Sequence, residues 1–181
     1  IVRYFNVPVR PVDIKIADNN KGLPLVIVRY FNVYGPHGDS SDYGGVTARF
    51  ISQAITGKPL TVHGDGSQTR CFTYVEDIVE GTVKAGTQPE AEGKIFNLGS
   101  RRETTILELA QLILAISGAK GDIVFQAHEE FYGPYYEDIP RRIPDLSAAE
   151  QMLSYFPKVT LENGLRTTID WQRQQMLNGK A

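Results

Sequence analysis

The sequence predicts an α/β fold in which at least some of the strands pair in parallel. Short runs of β-branched and aromatic residues alternate along the chain with segments whose apolar residues recur at helical spacing. Several of the helical segments also carry a capping residue at their start or a glycine at their end. Such alternation is typical of folds in which helices connect neighbouring parallel strands.

The first ordered elements are a strand and a helix. A β-branched and aromatic run over 25–33 predicts a buried strand, which Gly35-Pro36 ends. Apolar residues between Val46 and Ile55 recur at helical spacing, and Gly57 with Pro59 ends this predicted helix.

The middle of the chain continues the alternation. Leu60 to His63 predicts a short strand, and Gly64-Asp65-Gly66 predicts the tight turn that follows it. A second helix is predicted after Tyr74-Val75, with its apolar residues between Ile78 and Ala85. The run from Lys94 to Leu98 predicts the next strand.

Three helices and one strand are predicted in the last third. The capping box at 105–108 opens an amphipathic helix that Gly118 closes. A short strand is predicted at 123–125, and a second capping box at 147–150 predicts another helix. The apolar spacing over 161–172 predicts the last helix.

Composition excludes several classes of protein. Of the 181 residues, 41% are hydrophobic and 22% are charged, as in folded globular domains. A net charge of -2 gives no basic excess, so we expect no nucleic acid as a partner. The longest apolar stretch, 23–28, is too short to span a membrane, and we expect no membrane association or secretory leader.

Cysteine and histidine usage also restricts the possibilities. Cys71 is the single cysteine, which excludes an internal disulfide and leads us to expect a cytoplasmic protein. His37, His63 and His128 are dispersed and have no second ligand at metal-binding spacing, so we expect no metal site.

The N-terminal segment contains a duplication. Ile1–Val7 and Ile27–Val33 are identical over seven residues, which is not a solenoid repeat because two copies do not make an array. The segment from Pro8 to Asn20 is rich in proline and turn residues and predicts no helix. We therefore divide the chain into an atypical segment, 1–20, and a main portion, 21–181.

Four motifs occur in a fixed order along the main portion. They are Arg-Tyr-Phe-Asn-Val-Tyr-Gly-Pro at 29–36, Gly-Asp-Gly-Ser-Gln-Thr-Arg with Phe-Thr-Tyr-Val-Glu-Asp at 64–77, Phe-Asn-Leu-Gly at 96–99, and Arg-Arg-Ile-Pro-Asp at 141–145. This ordered set resembles the NAD-dependent sugar-nucleotide epimerases, dehydratases and decarboxylases of the extended short-chain dehydrogenase/reductase family. The resemblance covers roughly residues 21–175.

The resemblance implies the C-terminal, substrate-binding portion of such an enzyme. The fold would comprise the last strands of a Rossmann-like parallel sheet with a small substrate-binding lobe. The implied partner is a nucleotide diphosphate sugar, carrying uridine or thymidine. The implied contacts are Asn32, Arg70 and Arg142 on the diphosphate, the backbone of Val62 and His63 on the base, Val46 packing on the ligand, and Tyr30 and Phe31 beside the nicotinamide of NAD.

The chemistry of arginine agrees with these roles. A planar guanidinium matches diphosphate oxygens two at a time, and each charge-assisted hydrogen bond contributes about 1.5–3 kcal/mol. Structural alternatives stay open: Arg70 can cap a turn or pair with Asp77, and Arg141 can take the role given to Arg142. Asp77 itself is expected to serve a helix N-terminus.

Other candidate residues also have structural alternatives. Asn32 can be a loop residue that bonds its own backbone, and Tyr30 and Phe31 can be ordinary core residues. His63 has no orienting carboxylate nearby in sequence and is not expected to act as a base. Gly64 and Gly66 lack the third glycine of a phosphate-binding loop and predict a turn.

The family's catalytic features are absent from this sequence. No Gly-x-Gly-x-x-Gly motif for the NAD pyrophosphate occurs, and no tyrosine has lysine four residues later as the paired catalytic base requires. NAD is the cofactor of the intact family, but we expect this chain alone to bind none and to run no reaction.

Three hypotheses follow from these observations. The first is a truncated enzyme portion that keeps a UDP- or dTDP-sugar binding surface without catalysis. The alternative is a non-enzymatic structural or interaction protein that associates with itself, and the third is one subunit of a split enzyme. Because the strand at 25–33 would have an open apolar edge, we expect Ile1–Val7 to cover it, within the chain or across a homodimer or larger oligomer.

Overall fold

The computed structural model describes residues 25–39, 45–127 and 139–179. Its strands are β1 (Ile27–Tyr30), β2 (Val33–Tyr34), β3 (Leu60–His63), β4 (Thr69–Cys71), β5 (Thr73–Tyr74), β6 (Ile95–Leu98), β7 (Glu103–Thr105) and β8 (Ile123–Gln126). Its helices are α1 (Val46–Ile55), α2 (Val75–Thr87), α3 (Ile106–Ser117), α4 (Ser147–Leu153) and α5 (Leu161–Leu177), and Pro89–Ala91 forms a 3₁₀ turn. This order confirms the predicted α/β class.

Three of the four strand pairs in the described ranges are parallel. β1 pairs with β6, β2 with β5, and β3 with β8 in parallel, whereas β4 and β7 are antiparallel. Each parallel pair joins strands distant in sequence, as expected where helices connect them. The parallel pairing predicted from the sequence is therefore confirmed.

The capping predictions are confirmed at α3 and wrong at α4. The Thr105 side chain accepts a hydrogen bond from the Glu108 backbone, and Gly118 ends α3 with a left-handed φ of 65°. At α4, however, the Asp145 carboxylate accepts from the Ser147 backbone N–H at 2.9 Å, so Ser147 is not the cap. An aspartate two residues earlier offers the same acceptor chemistry, and the capping-box pattern did not distinguish the two.

The strand predicted over 25–33 is divided in two. β1 ends at Tyr30 and β2 begins at Val33, with Asn32 between them at a φ of 41°. A left-handed residue cannot continue a β ladder, so the chain changes direction here. After β2, β3 occupies the predicted Leu60–His63, and the turn that follows has positive φ at both of its glycines.

Two hydrophobic clusters hold these elements together. The larger joins α1, α3, α5 and β3, and its fully buried members include Phe50, Ile51, Leu60, Leu109, Ile113 and Leu165. The smaller joins β1 and β6 to α2 and α4, through Val28, Phe96, Leu98, Ile78 and Leu153. β2 and β5 contribute Tyr34 and Tyr74 to the larger cluster.

Asp77 fixes the approach to α5. Its two carboxylate oxygens accept hydrogen bonds from the backbone N–H groups of Lys158 and Val159, at 2.9 and 3.1 Å. The carboxylate therefore serves the segment before α5, where it aligns that helix against the rest of the domain. Glu76 and Asp77 also lie in the first turn of α2, as expected of carboxylates at a helix N-terminus.

Two sequence-based predictions lie outside the described residues. These are the coverage of the β1 edge by Ile1–Val7 and the absence of a helix from Pro8 to Asn20. The division of the chain at residue 20 lies there as well.

Candidate functional site

A pocket opens where the chain leaves β1, beside the start of α1 and the middle of α5. Its volume is about 120 Å³. Residues from four segments line it: Asn32, Val33, Tyr34, Gly35, Gly38, Asp39, Gly45, Val46, Thr47, Ala48, Phe72 and Thr168. This volume is below the roughly 300–1,000 Å³ of sites for whole small molecules, so the pocket matches one portion of a longer ligand. Asn32 and Val46, both predicted ligand contacts, lie together here.

Asn32 carries two signs of a functional residue. Its backbone is left-handed, with a φ of 41°, and its carbonyl accepts a hydrogen bond from the Thr73 N–H at 3.2 Å. Its side-chain Oδ1 is buried and has no hydrogen-bond partner in the part of the chain that the structure describes. A buried unpaired polar atom costs about 1–3 kcal/mol. A left-handed residue with a buried, unpaired amide oxygen is typical of a site whose partner is a ligand.

Arg70 lies on β4 and is 9% exposed. Its Nη1 donates hydrogen bonds to the carbonyls of Thr69, at 2.8 Å, and Ile139, at 2.7 Å. The bond to Ile139 attaches the segment that carries Arg141 and Arg142 to β4. One face of the guanidinium thus has a structural role in addition to the predicted ligand contact.

The register of the same segment brings Arg142 beside Arg70. Thr69 and Arg141 form a parallel bridge, so the following residues of the two segments, Arg70 and Arg142, are neighbours. Arg141 itself forms a bidentate pair with Glu103: its Nε donates to Oε2 at 2.8 Å and its Nη2 donates to Oε1 at 2.7 Å. This pairing holds the pKa of Glu103 below its usual value. Arg141 is therefore committed to Glu103, which favours Arg142 as the ligand contact.

The backbone of Asn32 reaches the same corner. Val33 lies opposite Thr73 in the β2–β5 pair, which puts Asn32 next to Phe72. Phe72 in turn follows Arg70 by two residues along the chain. Asn32, Arg70 and Arg142 thus belong to three neighbouring segments. The sequence placed these residues 110 positions apart at their extremes, and the fold brings their backbones together.

Val62 and His63 differ in the direction of their backbone groups. Leu60 N donates to the carbonyl of Asp122, just before β8, and Gly64 N donates to that of Gln126 in β8, whereas Thr61 N donates to the Gln53 side chain on the opposite edge. Because alternate residues of a strand direct their amides to opposite edges, Val62 faces β8 and His63 faces away from it. This direction favours the His63 N–H over Val62 as the backbone contact, since the His63 carbonyl already accepts a hydrogen bond from Gln68 Nε2 at 3.0 Å. The Val62 side chain is fully buried in the core.

Tyr30 and Phe31 have packing roles in the described structure. The Tyr30 hydroxyl lies 2.9 Å from Thr82 Oγ1 on α2, and Phe31 is 8% exposed. The predicted contacts of these two residues with NAD stay predictions.

The tyrosines near the pocket are held in their protonated form. Burial raises the pKa of Tyr34, whose hydroxyl donates to the Leu161 carbonyl at 3.2 Å. Burial also raises the pKa of Tyr74 and Tyr155. A catalytic tyrosine base needs the opposite shift, so these three hydroxyls are unsuited to that role. Burial likewise raises the pKa of the Cys71 thiol to about 11, which makes it a poor nucleophile.

The described residues contain no group of three metal-ligating side chains placed to hold an ion. Within the same ranges, no helix combines the length and apolar character needed to cross a bilayer.

Sequence reasoning missed part of the pocket wall. Thr168 on α5 lines the pocket and is 3% exposed, and the turn residues Gly38 and Asp39 line it from the other side. The apolar spacing of α5 indicated a core-facing helix, and nothing in that pattern distinguishes a pocket residue from a core residue. Phe72 was part of the quoted motif, but its place in the pocket depends on the β2–β5 register.

Comparison with known proteins gives the family. A model described as the NAD dependent epimerase/dehydratase family matches residues 14–99. The chain belongs to this family, within the extended short-chain dehydrogenases/reductases that the motifs resemble.

Individual relatives share 32–45% of their aligned residues with the chain. It is 45% identical over 154 residues to the UDP-N-acetyl-alpha-D-glucosaminuronate decarboxylase of Bacillus cytotoxicus, covering 85% of this chain and 48% of the relative. It is 38% identical to UDP-glucuronic acid decarboxylase 1 of Arabidopsis thaliana, over 87% of this chain and 34% of the relative. The chain thus spans half or less of the length of these curated relatives.

Solved structures show the same partial coverage. The UDP-glucose 4-epimerase of Thermotoga maritima, solved with UDP-glucose, matches with a TM-score of 0.78 and 32% identity, over 87% of this chain and 48% of that one. The UDP-glucuronic acid 4-epimerase of Bacillus cereus, solved with UDP-glucuronic acid and NAD, matches with a TM-score of 0.75 and 34% identity, over 86% and 47%. The predicted Rossmann-like kinship is confirmed.

Proposed function

We propose that this chain forms the nucleotide-sugar-binding portion of an epimerase, dehydratase or decarboxylase that acts on UDP- or dTDP-sugars. The observation that carries the proposal is Asn32, a left-handed residue with a buried, unpaired amide oxygen in a pocket. Support also comes from the relatives: they are named as enzymes of UDP-sugars, and two of the solved structures contain UDP-glucose or UDP-glucuronic acid. The chain would bind such a ligand in the cytoplasm.

Each proposed residue has a chemical task. The Asn32 amide offers both a donor and an acceptor, so it can hydrogen-bond a diphosphate or a sugar hydroxyl. Arg70 and Arg142, as neighbours across the bridge at Thr69, supply two guanidinium groups for the negative charge. The backbone of His63 would contact the base, whereas the predicted contact of Val62 is disfavoured because its backbone faces β8, and Val46 packs against the ligand from α1.

Catalysis requires groups that we do not assign to this chain. NAD supplies hydride chemistry to the family, and a tyrosine–lysine pair supplies the base. In a complete enzyme, Tyr30 and Phe31 would lie beside the nicotinamide. We propose that the chain alone binds the nucleotide sugar and turns over none.

Calorimetric titration with UDP and with UDP-glucuronic acid tests the binding proposal. We expect Arg70→Ala to weaken binding about 10- to 100-fold, the equivalent of one charge-assisted interaction of about 1.5–3 kcal/mol. Arg166→Ala removes the same charge from an exposed position on α5 and is the matched control. Arg70→Lys keeps the charge but not the fork, and it separates ligand contact from loss of fold.

Two outcomes of this titration would contradict the proposal. Equal weakening in Arg70→Ala and Arg166→Ala would mean that only net charge matters, and the proposed site would be wrong. No binding of either ligand to the wild-type chain at millimolar concentration would reject the function itself.

The alternative function, a self-associating interaction protein, is favoured by one observation. Within the described residues, β1 pairs on one edge only, with β6. An unpaired strand edge is a template for a second chain. Sedimentation velocity distinguishes the two: a stable oligomer that binds no UDP-sugar supports the alternative, and a monomer that binds one rejects it.

A further inference from the structure

The turn that follows β2 contains a second residue with a positive φ, His37. Gly38 N donates to Gly35 O at 3.3 Å, which closes a four-residue turn with Pro36 in its second position. His37 occupies the third position with a φ of 64°. This arrangement is a type II turn, whose third position normally holds glycine or asparagine because φ must be positive. A histidine here carries a conformational cost that its side chain must offset.

The His37 ring contacts the indole of Trp171. The two ring centroids are 4.4 Å apart and the rings are tilted by 55°. His37 is otherwise exposed, so this contact with α5 is what distinguishes it from a glycine at the same place. Tilted aromatic pairs at such distances are favourable beyond the area that they bury.

The turn and the helix share the pocket. Gly35, Gly38 and Asp39 line it from the turn, and Thr168 lines it from α5. Trp171 follows Thr168 by three residues and so lies on the same face of the helix. Thr168 is itself fixed, because its hydroxyl donates to the Gly164 carbonyl at 2.7 Å.

We propose that the contact between His37 and Trp171 holds the Gly35–Asp39 turn against α5 and thereby shapes the pocket for its ligand. His37 and Trp171 are then positioning residues of the nucleotide-sugar site, although neither lines the pocket. This inference rests on the proposed function, because the ligand is the nucleotide sugar of that site. It assigns a role in binding to the C-terminal helix.

The test uses two single variants, Trp171→Leu and His37→Asn, and their combination. Asparagine tolerates a positive φ, so His37→Asn removes the ring and keeps the turn. We expect each single variant to weaken binding of UDP-glucuronic acid about twofold to tenfold, the range of one aromatic pair. The double variant should have the same affinity as the single variant that binds UDP-glucuronic acid less tightly, because both substitutions remove the same contact. Trp171→Phe should restore binding to within about twofold.

Trp171 also provides a direct readout, since it is the single tryptophan. His37→Asn should change its emission in the free protein, and Gln174→Ala, at an exposed position on the same helix, should change neither emission nor affinity. If Trp171→Leu fails to fold, His37→Asn carries the test, since that residue is exposed.

The outcomes separate the inference from the proposed function. Wild-type affinity in His37→Asn, or additive losses in the double variant, would overturn the positioning role while binding itself stands. Failure of the wild-type chain to bind UDP-glucuronic acid would overturn the proposed function and this inference with it.

Discussion

Gly164 on α5 provides a sharp test of how this helix is seated. A Cβ added at Gly164 would lie 2.2 Å from Tyr34 Oη and 2.8 Å from both Tyr34 Cζ and Tyr74 Cδ2. Tyr34 and Tyr74 are 6% and 4% exposed, so neither ring has open space to move into. Gly164→Ala must therefore displace Tyr34 or shift the whole helix away from β2.

The cost of this substitution can be worked from its parts. Alanine gains about 1 kcal/mol over glycine in a helix interior. Overpacking a tight core position costs about 1–3 kcal/mol. Displacing Tyr34 also breaks its hydrogen bond to the Leu161 carbonyl and leaves a buried group unpaired, at about 1–3 kcal/mol. The net expectation is a loss of about 2–3 kcal/mol in the free energy of unfolding.

Urea denaturation of Gly164→Ala and of Gly86→Ala measures the effect. Gly86 lies in α2, and a Cβ there meets nothing within 4 Å, so Gly86→Ala should stabilise the chain by up to about 1 kcal/mol. Adding Tyr34→Phe to Gly164→Ala removes the atom at 2.2 Å and should restore part of the loss. A Gly164→Ala variant as stable as Gly86→Ala would refute this account of how α5 packs against Tyr34 and Tyr74.

Two further predictions concern a surface carboxylate and a helix cap. Glu80 lies 2.8 Å from both Lys158 and Lys84. The hydrogen bond from Lys158, and to a lesser extent that from Lys84, lowers the pKa of Glu80 from 4.5 to about 2. Because the pKa of Glu80 is lower in the folded chain than in the unfolded one, its stabilising effect is present above pH 4.5 and is lost as the pH falls towards 2. In urea titrations, the difference in stability between wild type and Glu80→Gln should therefore vanish as the pH approaches 2. Thr105→Ala removes the acceptor for Glu108 N at 3.0 Å and should cost about 1 kcal/mol, seen as a lower thermal midpoint; an unchanged midpoint would show that the cap contributes nothing.

The elements with strong local signals were predictable from the sequence. α3 has a cap and a left-handed glycine at its ends, and β3 has a β-branched run followed by a glycine turn. Local chemistry determines such boundaries. β4, β5 and β7 are two or three residues long, and no periodic pattern develops over that length, so they depend on tertiary pairing.

The candidate site was predictable in its residues but not in its assignment of roles. The ordered motifs indicated Asn32 and Arg70, yet the choice between Arg141 and Arg142 required Glu103, which lies far away in sequence and pairs with Arg141. The left-handed turn at Asn32 was also not visible, because a continuous β-branched run predicts an unbroken strand. Long-range pairing decides both features.

Asn32→Gly tests the central claim, because the two explanations of this residue predict different results. Glycine adopts a φ of 41° without strain and removes the buried unpaired oxygen, so the free chain should gain about 1 kcal/mol in stability. If Asn32 serves a ligand, the same variant should lose most of the upward shift in melting temperature that UDP-glucuronic acid gives the wild type. The decisive measurement is thermal denaturation of both chains with and without UDP-glucuronic acid. A higher midpoint without ligand and a reduced ligand-induced shift are the predicted results, and an undiminished shift in Asn32→Gly would contradict the account.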